Sequence, residues 1–95
     1  MASKTSPPNT SEAKAEARIA PLIADLLPLL GDDPTREGLL KTPARVAASF
    51  QSLTEGYRQT ILEVVGDGIF VEDSSEMVVV KDVEFYSLCE HHLLP

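Results

Sequence analysis

Only one stretch of this chain, Met77–Tyr86 (Met-Val-Val-Val-Lys-Asp-Val-Glu-Phe-Tyr), carries a strong β-strand signal. Its valines and aromatics suit a pleated, half-buried surface. A strand cannot satisfy its own backbone, because its N–H and C=O groups need neighbouring strands. No second stretch of comparable quality exists among the 95 residues. Either partner chains supply the missing strands, or the sequence is the N-terminal part of a longer protein, and the second is the expectation here. Read at period two, Met77, Val79, Val83, Phe85 and Cys89 share one face, interrupted by Lys81 and Ser87. Asp82, Glu84 and Tyr86 take the wetter face, and a strand continuing to Cys89 starts the thiol on the apolar side.

Everything before that stretch reads as helix and turn. Residues 1–10 are small, polar and proline-bearing, which predicts a disordered tail. From Ser11, a cap candidate followed by Glu12 in the first turn, the pattern becomes helical. Ile19, Leu22, Ile23, Leu26, Leu27 and Leu30 recur at three- and four-residue steps and form one apolar stripe, read as core. Pro21 and Pro28 each remove a donor, which predicts a kink or restart near Ala20. Gly31 ends the element as a left-handed C-cap. Asp33-Pro34 predicts a short helix to about Leu40, and Thr42-Pro43 starts the next. Val46, Ala47, Phe50 and Leu53 are its buried face, and Gly56 stops it. Arg36, Lys41 and Arg45 read as solvent-facing charge. Tyr57 to Val65 is a further short helix closed by Gly66-Asp67-Gly68. Residues 11–66 are thus a helical region, and residues 67–95 begin a different unit.

A formal charge of -7 and a pI near 4.6 argue against a nucleic-acid footprint, which needs clustered cations. They leave room for an anionic small molecule held by a few arginines or lysines. One cysteine excludes an internal disulfide. No apolar run approaches the ~20 residues that cross a bilayer, and the first ten residues lack a signal-peptide core. The expectation is a soluble, cytoplasmic protein without nucleic-acid or membrane partners.

The sole cysteine and both histidines lie together in Cys89-Glu90-His91-His92. A thiolate and an imidazole three residues apart, Cys89 and His92, can bind one Zn²⁺ if the chain turns sharply between them. Two ligands do not close a zinc site, which takes four protein ligands when structural and usually three plus water when catalytic. The sequence offers no second cysteine and no third histidine. The competing reading is a buried thiol beside two surface or capping histidines.

Several motifs in order give the chain a resemblance. Asp-Pro-Thr-Arg-Glu-Gly-Leu-Leu-Lys-Thr-Pro-Ala-Arg-Val-Ala (33–47), Gly-Asp-Gly-Ile-Phe (66–70) and Met77 to Pro95, with Cys-Glu-His-His as its most diagnostic part, closely resemble the GTP cyclohydrolase I family from about Gly31 onward. That resemblance implies the α+β tunnelling fold: N-terminal helices, then an antiparallel sheet of which this chain holds the first strand. Subunit sheets join into a barrel within a homodecamer. It implies zinc as cofactor, with Cys89 and His92 as two ligands and a third, a cysteine, from a later segment absent here. His91 matches a histidine that transfers protons to the purine ring. Arg45, in the Thr-Pro-x-Arg pattern, matches a position associated with the substrate triphosphate, and a plain surface arginine competes with that reading. Glu90 divides between support of its neighbours and solvation.

The reaction the resemblance implies is hydrolytic opening of the guanine ring of GTP, giving 7,8-dihydroneopterin triphosphate and formate. It is the first step towards folate and pterin cofactors. Opening a ring carbon needs a strong nucleophile at neutral pH, and zinc supplies it by lowering the pKa of bound water to about 7. Histidine titrates in the range needed to protonate ring nitrogens. A feedback regulatory protein is a further partner compatible with the family. Two other readings stay open: a catalytically incomplete chain acting as a subunit-interaction module, and a different zinc enzyme of the same fold.

Overall fold

A computed structural model describes residues 10–73 and 75–95. The expected tail falls almost wholly outside them. The chain divides into two compact units, one ending at Ser52 and one comprising Leu53–Pro95.

In the first unit, helix α1 spans Thr10–Leu29 and helix α2 spans Thr42–Leu53. α1 begins one residue before Ser11, which therefore sits inside the first turn with Glu12 rather than capping it. The helix continues through Pro21 and Pro28, so no restart occurs at Ala20. The two prolines lie two turns apart on one exposed face. Each removes a single donor there, and their fixed φ is itself helical.

Gly31 terminates α1 as the sequence requires. Its φ is +97°, and its N–H donates to the Pro28 carbonyl at 3.0 Å while the Asp32 N–H reaches back to Leu27 at 3.3 Å. These paired bonds satisfy carbonyls that the last turn leaves without donors.

The short helix expected over 34–40 is replaced by a side-chain-built turn. Asp33 Oδ1 accepts from the Thr35 N–H at 2.9 Å and from the Thr35 hydroxyl at 2.6 Å. Only Glu37–Leu39 then makes a 3₁₀ turn. The bond to the Thr35 N–H is the one an N-cap aspartate makes to a donor no α-helix uses, so it forms here without committing the residues after Pro34 to a helix. α2 starts as expected, its first bond running from the Arg45 N–H to the Lys41 carbonyl at 3.1 Å. Pro43 falls in the first turn, where its missing N–H costs nothing. Ala47 is fully buried, with Val46, Phe50 and Leu53 half-buried beside it on the expected face. Of the α1 stripe only Ile23 is buried, while Leu22, Leu26 and Leu30 are exposed.

The second unit is built from short pieces. A 3₁₀ turn spans Glu55–Arg58, and helix α3 spans Ile61–Val65. Gly56 lies inside the 3₁₀ turn, so α2 has already ended three residues earlier. Thr60 caps α3, its hydroxyl accepting from the Glu63 N–H at 3.2 Å. Gly66, at φ +53°, leads into a last 3₁₀ turn, Gly66–Gly68.

The expected strand is not present: among the described residues no strand forms, and 77–87 are exposed, without a ladder and with a bend at Asp82. The cause is the one apparent in the sequence, since extended backbone becomes a strand only when a neighbour accepts its hydrogen bonds. A bend adds to it. Asp82 adopts φ +57°, a left-handed conformation that Asp tolerates better than most residues. The strict alternation assumed from Met77 to Cys89 is broken there, so the face assigned to residues before Asp82 does not carry through to Cys89. Among the described residues no helix is long and apolar enough to cross a membrane.

A thiol–imidazole turn as candidate metal site

The chain reverses direction at Glu90–His92. Two backbone bonds close the loop: the Cys89 N–H donates to the Leu94 carbonyl at 2.8 Å, and the Leu93 N–H donates to the Cys89 carbonyl at 2.9 Å. Leu93 makes this possible by adopting φ +56°. Inside the loop the His91 N–H donates to Cys89 Sγ at 3.4 Å.

The reversal brings Cys89 Sγ to 4.0 Å from His92 Nδ1. Zinc bonds of about 2.3 Å to sulfur and about 2.1 Å to nitrogen set the two donors of a tetrahedral ion about 3.6 Å apart. The pair is therefore within a small side-chain torsion of bridging one ion. Cys89 is exposed, which removes the buried-thiol alternative. Among the described residues no group of three or more His, Cys, Asp or Glu side chains converges to complete a metal shell. The residues fit two positions of a zinc site.

His91 points elsewhere. Its ring is tilted 58° from that of His92 with centroids 6.4 Å apart, and its Nε2 lies 3.8 Å from Glu90 Oε1. Both side chains of that pair are largely exposed, so it is a weak, screened contact. One imidazole is thus turned to the thiol and the next away from it, leaving the second accessible to a ligand. Arg45 lies in the other unit, on the exposed side of α2, with its carbonyl accepting from the Ser49 hydroxyl at 2.9 Å.

The Asp32–Arg36 pair has more definite geometry than its reading as solvent-facing charge suggested. Arg36 Nε and Nη2 bind the two Asp32 carboxylate oxygens at 2.9 and 3.0 Å. The guanidinium bonds hold the Asp32 carboxyl below the usual range, helped by the Asp33 N–H, and the same pairing raises Arg36. The Thr35 hydroxyl, and then the Thr35 amide, does the same to Asp33. The i,i+4 spacing of opposite charges was the available signal in the sequence.

A cysteine and a histidine three residues apart, brought to 4.0 Å by a tight turn, are an arrangement shared by many proteins with metal-binding segments rather than the mark of one protein. Comparison with known proteins makes it particular: residues 19–95 match the family model described as GTP cyclohydrolase I, and the chain belongs to that family. It is 56% identical over 77 residues to "GTP cyclohydrolase 1" of Deinococcus radiodurans, covering 81% of this chain and 36% of that protein. The "GTP cyclohydrolase 1" proteins of Rattus norvegicus and Homo sapiens are 52% and 51% identical over 77 residues, again 81% of this chain but 32% and 31% of theirs. The chain thus spans about a third of the length of these curated relatives.

Proposed function

We propose that this chain supplies the N-terminal helices and two of the zinc ligands of a GTP cyclohydrolase, the enzyme that hydrolyses the guanine ring of GTP to 7,8-dihydroneopterin triphosphate and formate. The observation that carries the reading is the 4.0 Å approach of Cys89 Sγ to His92 Nδ1, inside a segment that matches the family. When bound, zinc lowers the pKa of a coordinated water towards about 7 and so provides a nucleophile at neutral pH.

The chain's own residues take the remaining roles. Cys89 and His92 hold the ion from one turn, as thiolate and neutral imidazole. His91, turned away from the thiol, gives and takes protons at the substrate ring. Arg45 offers its guanidinium to a phosphate oxygen of the triphosphate, the pairing that a planar fork of donors favours. The tunnelling-fold domain begins at residue 67, and segment 77–88 becomes its first strand when a neighbouring strand pairs with it. The assembly is a homodecamer acting in the cytoplasm, in folate or pterin synthesis, where a feedback regulatory protein has room to act.

Because the described residues offer only two ligands, the 95-residue chain by itself is expected to release no formate from GTP. The deciding experiment grafts residues 19–95 in place of the matched segment of the Deinococcus radiodurans relative and follows formate release with zinc. Turnover is expected in the graft, falling at least a hundredfold with Cys89→Ser or His92→Ala. His91→Ala is expected to lower turnover while zinc content stays unchanged. Activity that survives Cys89→Ser would rule the assignment out.

A further inference from the structure

The two ligands sit three residues apart, and their side chains meet only in the long 4.0 Å approach of Cys89 Sγ to His92 Nδ1. Holding the turn closed falls to the backbone of the residues just after them. Leu93 stands at φ +56°, a conformation that L-residues other than Asn and Asp rarely adopt. In that conformation its N–H reaches the Cys89 carbonyl at 2.9 Å, and the following carbonyl, of Leu94, receives the Cys89 N–H at 2.8 Å. Both bonds converge on Cys89, fixing the peptide groups on either side of the thiol-bearing carbon. Pro95 contributes by restricting Leu94 to extended backbone.

We infer that Leu93 is a positioning residue for the metal site: its left-handed backbone closes the Cys89–Leu94 loop and sets Sγ against His92 Nδ1 before any ion arrives. The inference rests on the zinc reading above and adds a cause to it. A loop already closed spares the ion the conformational entropy of ordering these residues. The Leu93 side chain is exposed, so its part lies in φ and in the N–H rather than in packing.

Two substitutions separate these elements. Leu93→Gly keeps the N–H and takes positive φ without strain. Leu93→Pro removes the N–H and fixes φ near -65°, so neither bond pattern can form. The 95-residue chain is titrated with Co²⁺ as the zinc probe, and the thiolate-to-cobalt charge-transfer absorption is followed in the wild type, Cys89→Ser and both Leu93 variants. Amide hydrogen exchange at Cys89 and Leu93 is measured without metal.

The wild type is expected to show a band that Cys89→Ser lacks, together with slowed exchange at both amides before cobalt is added. Leu93→Gly should bind cobalt within about threefold of the wild type, and Leu93→Pro at least tenfold more weakly. Cobalt binding by Leu93→Pro equal to the wild type would overturn the inference alone, as would a Leu93→Gly loss as large as that of Leu93→Pro. A wild type without a Cys89-dependent band would overturn this inference, while the zinc reading stands or falls with the graft. Helical circular dichroism of both variants checks that α1 and α2 are unaffected.

Discussion

At the scale of single residues, the turn between α1 and α2 is built by side-chain hydrogen bonds. Asp32 accepts from Nε and Nη2 of Arg36, and Asp33 accepts from the amide and hydroxyl of Thr35. The four groups need two ionised carboxylates, since a protonated acid accepts poorly and carries no charge for the guanidinium. Both carboxyls are held below their ordinary value, Asp32 by the Arg36 bonds and Asp33 by the Thr35 bonds. A depressed folded pKa contributes order that is fully present above the unfolded value of about 3.9 and is lost as pH falls through the lower, folded one. The amide resonances of Asp33 and Thr35 are therefore expected to stay unchanged on acidification to about pH 4. They should then shift with a midpoint below that of an exposed, unpaired aspartate. A midpoint at or above the ordinary value would show that the turn does not form in solution. These contacts are at the surface, so the effect is on local order and leaves global stability nearly untouched.

At the scale of elements, what was legible in the sequence was whatever a few neighbouring residues decide. Gly31 is the clear case, because only glycine takes φ +97° at little cost and the chain needs that angle to close α1. Gly31→Ala is expected to destabilise α1 by about 1–2 kcal/mol, read as a lower thermal midpoint of helical circular dichroism. Gly56→Ala is the control: no positive φ holds that position, and an added Cβ meets nothing within 4 Å, so little change is expected. A Gly56 loss as large as that at Gly31 would sink the argument from backbone conformation. The start of α2 and the face carrying Ala47 were equally readable. Whether Pro21 and Pro28 would restart the helix was not, because a long helix tolerates a missing donor on its wet face, and proline content alone does not say which face is wet. The short helix after Asp33 failed because an aspartate that caps a helix and one that builds a free-standing turn use the same bond. The Cys89–His92 pair was legible as types and spacing. The turn that joins them was not, since a leucine at positive φ leaves no mark in the sequence.

At the scale of the whole molecule, the apolar segment 77–85 forms no regular element. Met77, Val78, Val79, Val80, Val83 and Phe85 are all at least 65% exposed, and their backbone makes no ladder among the described residues. An exposed, β-branched run presents free N–H and C=O groups beside apolar side chains, which is a template for pairing with another chain. Opposing this is the net charge of -7, which makes copies repel at low ionic strength. Salt screens that repulsion over a Debye length of about 8 Å at physiological strength, while leaving the apolar term intact. Sedimentation velocity should therefore show self-association that rises with concentration and with added salt. Val79→Lys, which places a charge in the middle of the run, should weaken it at least tenfold. α1 offers a rival surface, because Leu22, Leu29 and Leu30 are exposed as well. Association that survives Val79→Lys and is lost in Leu22→Lys would assign the contact to the helix.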